Sequence, residues 1–156
     1  MTETELLSDV DIRILSKMFD INLIDVCFKS KLNNIKIKSG SYVINMDRDD
    51  ISGTHWICLY VKGKRAIYYD SFGEEAPLEI INFCKRGNVK LLMNYFHIQD
   101  INGTECGYYC LAFLHWMTVH KTVSQYYLNM FNKMFDFDTS KNKLILQKYI
   151  KSIVYK

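Results

Sequence analysis

The run Cys106–His120, CGYYCLAFLHWMTVH, contains no Asp, Glu, Lys or Arg and is apolar around its whole circumference if it is helical. A helix of that kind has to be covered on every side by other elements. Whatever this chain folds into must therefore wrap around it. At fifteen residues the run falls short of the ~20 needed to cross a bilayer. The loop-like DINGTE before it and Gly107 after the cysteine place Cys106 at the start of the helix, where backbone N–H groups lack partners and favour negative charge. A cysteine so placed is disposed to ionise.

The chain of 156 residues is expected to form one domain, 1–156, large enough to bury roughly 68–70% of the surface its unfolded form exposes. A hydrophobic share of 49% and a single proline argue against disorder. The net charge of +3 does not by itself imply nucleic acid. The start MTETELLSD is acidic and unlike a secretory leader, and the five cysteines are an odd number, so a disulfide framework is the poorer reading. The expected setting is intracellular and reducing, with no membrane partner. No internal repeat, low-complexity tract or linker interrupts the one domain, and the expected form is a monomer.

Upstream, Leu7, Val10, Ile14, Leu15 and Met18 recur at helical spacing, and Ser8 with Asp11 has the form of a capping box; an amphipathic helix is expected, with those apolar residues inward. Residues 20–30 read as a short helix. The turn pair Ser39-Gly40 and the polar stretch 47–53 bracket a short strand at 42–46. THWICLYV and RAIYYDSFG, parted by Lys62-Gly63-Lys64, predict an antiparallel hairpin. Pro77 and Gly87 bound a helix with Leu78, Ile81, Phe83 and Cys84 on one face. VKLLMNYFHIQ reads as one strand running out to Gln99. A loop at 100–105, the apolar helix and a second helix near 124–135 follow. Residues 139–156 carry five lysines and no acid, with Leu146, Tyr149, Ile150, Ile153 and Val154 opposite them: a lid on the core with a basic outer side. The class is α+β, a small mixed or antiparallel sheet packed on a central helix with flanking helices.

A thiol protease needs a thiolate, an imidazole that accepts and returns its proton, a group orienting that imidazole, and donors for the oxyanion. Cys106 stands at the helix start, His55 opens the first strand of the hairpin and Asp70 closes the second. In an antiparallel pair those two ends are neighbours, so the side chains can meet. Gln99 is expected at the end of the preceding strand, with an amide N–H available beside the backbone N–H of Cys106.

Gly53-Thr54-His55-Trp56, Tyr69-Asp70-Ser71-Phe72-Gly73, and Gln99 seven residues ahead of Cys106-Gly107-Tyr108-Tyr109-Cys110 together resemble adenain, the adenovirus endopeptidase, and its relatives in DNA viruses and virus-like transposons. The run Phe113-Leu114-His115 fits as well. The resemblance covers residues 42–120 by motif and the two ends only by pattern. It implies a papain-like, adenain-like cysteine protease fold with Cys106 as nucleophile, His55 as general base and then acid, Asp70 as orienting acid, Gln99 as oxyanion donor and Trp56 as a wall of the substrate groove. In adenain the third member is a glutamate; aspartate serves in the related proteases of ubiquitin-like modifiers. The implied reaction is cleavage after glycine, at Gly-Gly or Gly-Xaa sites, in capsid or other structural precursors, in a host cell or virion. The implied partner is a polypeptide substrate, and the lysine-rich surface leaves room for DNA contact. The residues call for no cofactor and no metal; activation by DNA or by a short peptide enters only by family analogy, and no cysteine stands where that peptide's disulfide would need one.

Two other readings compete. A protease that processes or deconjugates a SUMO-type modifier shares the catalytic order, and an inactive module binding such a modifier or DNA needs no chemistry. Cys27, Cys58, Cys84 and Cys110 read as inert buried thiols, and His97, His115 and His120 as core or surface histidines. Zinc bound by Cys106, Cys110, His115 and His120 is excluded by geometry: fourteen residues of helix span about 21 Å, against ligand distances of ~2.0–2.3 Å.

Overall fold

The computed structural model describes residues 6–46 and 55–155. The polar stretch 47–53, and Gly53 and Thr54 of the first motif, lie outside the described residues. Within them the chain runs α1 (Asp9–Met18), β1 (Leu23–Phe28), a 3-10 turn (Lys29–Asn34), β2 (Gly40–Asn45), β3 (Trp56–Lys62), β4 (Arg65–Tyr69), α2 (Leu78–Arg86), β5 (Lys90–Met93), α3 (Cys106–His120), α4 (Gln125–Asn132), a 3-10 turn (Thr139–Lys141) and α5 (Asn142–Val154). The five strands form one mixed sheet in chain order, antiparallel in its middle and parallel at each edge. The class is α+β as expected.

Alternation along the central strands divides the molecule into three layers. Val43, Cys58, Tyr60, Ile67 and Tyr69 face a core completed by α1, α3, α4 and α5. Tyr42, Ile44, Ile57, Leu59, Val61, Ala66 and Tyr68 face a second core under α2 and the first 3-10 turn. Both faces are covered, so β2 and the hairpin read as near-continuous apolar runs. The helix α3 lies in the larger core, buried from Cys106 through Leu114, which accounts for its lack of a polar face. The hairpin forms as predicted: Lys62 pairs with Arg65 across Gly63-Lys64, with Gly63 in the left-handed region.

Several expectations are corrected. Residues 20–30 hold no α-helix; Asp20 takes a left-handed conformation that stops α1, and Leu23–Phe28 runs extended beside β2. Its Asp25 accepts from Lys31 Nζ at 2.6 Å and Arg13 at 3.3 Å on the outer edge, where ions offset unpaired backbone. The capping box of Ser8 and Asp11 is present, but α1 turns Ile12 and Ser16 fully inward, and Val10, Ile14 and Met18 are exposed. In α2 the buried residues are Ile80, Phe83 and Cys84, with Leu78 in solvent. In α5, Leu146 and Ile150 are buried but Val154 is exposed.

β5 ends at Met93, so neither His97 nor Gln99 lies on a strand. The side chain of Asn94 ends the ladder. Its amide donates to the carbonyl oxygens of Asp70 (2.9 Å) and Phe96 (3.0 Å), and its own oxygen accepts from Phe96 N–H (3.0 Å). A residue that bonds its own neighbours in this way competes with the sheet.

Candidate active site

Three elements deliver the site. His55 immediately precedes β3 and Asp70 immediately follows β4, so the hairpin register brings them together: His55 Nε2 lies 2.9 Å from Asp70 Oδ1. The same carboxylate oxygen accepts the Phe72 N–H at 2.9 Å, and Gly73 N–H closes a turn on the Asp70 carbonyl at 2.8 Å. The Asp70 side chain is therefore buried and fixed from two directions. Gly73 sits at φ +72°, and a Cβ there would lie 2.8 Å from the Tyr95 carbonyl oxygen, so the close approach of the loop 94–99 requires glycine.

Cys106 opens α3 as expected, behind Glu105 at the N-cap. Its Sγ accepts from the Trp56 backbone N–H at 3.4 Å, and the thiol shares a hydrogen bond with the His55 imidazole. Burial alone would push the imidazole down; the hydrogen bonds to Asp70 and Cys106 outweigh it and bring His55 up to about 9. The imidazolium is thus the favoured form at neutral pH, next to the sulfur. Burial pushes the thiols of Cys27 and Cys84 up to about 11, and that of Cys110 well above its ordinary value.

Gln99 is buried in the loop, not at a strand end. Its Oε1 accepts from Ser71 Oγ at 2.5 Å and its Nε2 donates to the Gly103 carbonyl at 3.1 Å, while its backbone N–H and that of Ile98 both donate to Ser71 O. The amide is held in one orientation between the Asp70 turn and the loop that ends at Cys106. One of its two N–H donors is used by Gly103, leaving the second for another acceptor. Trp56 is buried, with its indole N–H donating to Leu7 O at 2.8 Å. It lines a cavity of about 930 Å³ together with Leu7, Val26, Phe28 and Asn45. Leu7 in turn packs over Gly107, where a Cβ would meet it at 3.0 Å.

Two positioning features escaped the sequence reading. The ring of Phe72 lies 4.9 Å from that of His55 and 5.5 Å from His97, so it braces the imidazole from the side. Phe72 is inside the motif at 69–73, which was a usable signal. The second is a buried relay: Tyr69 OH donates to Asn132 Oδ1 (2.7 Å), and Asn132 donates to Asn94 Oδ1 (2.9 Å), which holds the Asp70 backbone. Tyr69 and Asn132 are 63 residues apart, and asparagines in loops and helix ends carry no signal of such a link. Asn94→Ala would take one of two donors from the Asp70 carbonyl, which keeps the Gly73 N–H, and would remove the partners of the Phe96 carbonyl and the Asn132 amide; it is expected to cost about 2–4 kcal/mol in urea unfolding.

The remaining histidines lie away from this cluster: His115 Nδ1 meets Tyr149 OH at 2.9 Å, and His120 stacks on Tyr127 at 4.6 Å. Among the described residues, no group of three or more His, Cys, Asp and Glu side chains is arranged to hold a metal ion, all five cysteines are free, and no helix is long and apolar enough to cross a membrane.

No protein-family model and no curated protein matches the sequence. Solved structures do match in fold. The ASFV pS273R protease superposes with a TM-score of 0.60 at 17% identity over 97% of this chain and 67% of that one. Its selenomethionine form gives 0.57 at 18% identity over 95% and 68%. The central domain of the uncharacterized Lpg1148 protein from Legionella pneumophila gives 0.50 at 11% identity, over 97% of this chain and 99% of that domain. The chain therefore has an α+β fold of the ASFV pS273R protease type, with Cys106, His55 and Asp70 brought into hydrogen-bond contact at one end of its central helix.

Proposed function

We propose that the chain is a cysteine endopeptidase. The observation that carries this reading is the His55 imidazole held between the Asp70 carboxylate and the Cys106 thiol. The Cys106 thiolate attacks the scissile carbonyl, and the developing oxyanion is met by the Cys106 backbone N–H at the helix start and by the Gln99 amide. The His55 imidazolium passes its proton to the departing amine, leaving a thioester on Cys106. A water then gives its proton to His55 as it attacks the thioester, and collapse of the intermediate expels the Cys106 thiolate beside the re-formed His55 imidazolium as the acid product leaves.

The substrate class rests on the motif resemblance: a glycine before the scissile bond, in Gly-Gly or Gly-Xaa sites, with Trp56 walling the groove in which so small a side chain fits. The processing of capsid or other structural precursors, in a virus or virus-like element, rests on the same resemblance, and the ASFV protease among the neighbours in fold is viral.

Fluorogenic Gly-Gly peptides, compared with intact conjugates of ubiquitin-like modifiers, test the assignment. Peptide turnover is expected; turnover of the folded conjugates alone would make the chain a modifier protease instead. A vinyl-sulfone probe that labels wild type and Cys106→Ala equally would leave an inactive binding module. Repeating the peptide assay with DNA present decides whether the lysines of α5 have a part. Gln99→Ala is expected to lower kcat on the order of 10²- to 10³-fold, as loss of a single oxyanion donor does elsewhere, with little change in KM.

A further inference from the structure

The loop that carries Gln99 leaves Tyr95 and Phe96 66% and 59% exposed, and Phe137 beyond α4 is fully exposed. With Ile98 and Phe135 these rings line a cavity of about 890 Å³ between that loop and the end of α4. Large exposed apolar groups gathered around one hollow mark a recognition surface more often than chance. The floor is rigid, because Asn132 lines the cavity and belongs to the relay that fixes Asn94. Side chains held in this way lose little freedom when a ligand binds.

The cavity lies beside the reacting groups. His97 is part of its lining and packs on Phe72, which packs on His55, at ring separations of 5.5 and 4.9 Å. That path corresponds to roughly three residues of extended chain. Its direction follows from the chemistry: His55 protonates the departing amine, so the C-terminal half of the substrate leaves across the imidazole. The cavity bounded by Trp56 shares no lining residue with this one.

We propose that the aromatic cavity is a specificity subsite for the leaving half of the substrate, taking a large apolar side chain, aromatic or branched aliphatic, within about three residues after the scissile bond. This rests on the endopeptidase reading above. Peptides with one common N-terminal half and either Phe or Ser at each of the first three positions after the scissile bond test it. In the wild type, Phe is expected to raise kcat/KM on the order of tenfold at one of those positions. In the double variant Tyr95→Ser, Phe137→Ser that ratio should fall to near one. An unchanged ratio in the variant, or no preference at any position, overturns the subsite.

A second measurement does not depend on turnover. An acetylated tetrapeptide amide containing one Phe is titrated into Cys106→Ala, and amide resonances are followed. Shifts confined to residues 95–98 and 132–139 support the subsite, whereas none, or shifts elsewhere, overturn it. If no peptide is cleaved but these shifts occur, the hydrolytic reading fails and the binding site stands. Sedimentation of the unliganded chain at rising concentration covers the remaining occupant: a dimer that the double variant abolishes would assign the face to a second copy and overturn the proposal.

Discussion

Cys106→Ala is expected to lose peptide hydrolysis to the limit of detection while unfolding at a urea midpoint close to that of wild type. In the proposed mechanism the sulfur is the bond-forming atom, and no neighbouring thiol replaces it: Cys110, one turn on, is fully buried with its thiol pushed well above the ordinary range, toward the unreactive form. The structural loss is small. The thiol gives up an acceptor for the Trp56 N–H and a hydrogen bond to His55 at the end of a helix whose other contacts persist, a change of about 1 kcal/mol. His55→Ala, tested in the same assay, should fall nearly as far, because base and acid are one residue. Turnover above a few per cent in either variant would remove the mechanism, and a collapsed midpoint would show that the loss was one of folding.

Asp70→Asn is the second large effect, roughly 10³- to 10⁴-fold in kcat, between the losses expected for Gln99→Ala and Cys106→Ala. Its pH dependence separates orientation from charge. His55 is brought up to about 9 with the Asp70 carboxylate among the causes. Removing that charge lowers the imidazole, so the alkaline limb of kcat/KM, which follows loss of the imidazolium, should move to lower pH. The stability linkage has the same sign. A histidine raised from an unfolded value near 6.5 contributes stability that is fully present below about 6.5 and is lost as pH rises through about 9. Wild-type urea midpoints should therefore drop across that window, and the drop should shrink in Asp70→Asn. An alkaline limb that stays in place in the variant would mean that Asp70 does not govern the imidazole.

The parts of the molecule that could be read from the chain were those in which a strong local pattern coincided with the tertiary environment. The helix Cys106–His120 was bounded correctly because a run without a polar face has only one home, the interior. The hairpin was found because Gly63-Lys64 breaks two apolar runs, although Lys62 belongs to the first strand and the second stops at Tyr69, and its register brought His55 to Asp70. The failures share a cause. LIDVCF is too short for its period to separate helix from strand, and its pairing with β2 is a contact that no local signal announces. VKLLMNYFHIQ looked like one strand because the sequence does not show that Asn94 bonds backward to Asp70. On α1 the spacing was right and the facing only partly so: Leu7, just ahead of the helix, and Leu15 turn inward, but Val10, Ile14 and Met18 are exposed and Ile12 takes the core.

The placement of the proposed nucleophile has a bearing on when its site is assembled. Cys106 and Trp56 meet across 50 residues, and the first nine residues of α3 are buried on all sides, so the helix start is shaped only after the sheet and the flanking helices have closed around it. Contacts that distant in the chain form late in folding, after their loop-closure entropy has been overcome. A nascent or partly collapsed chain thus carries a thiol without an imidazolium beside it. For the endopeptidase proposed above, hydrolytic competence would then depend on the completed fold.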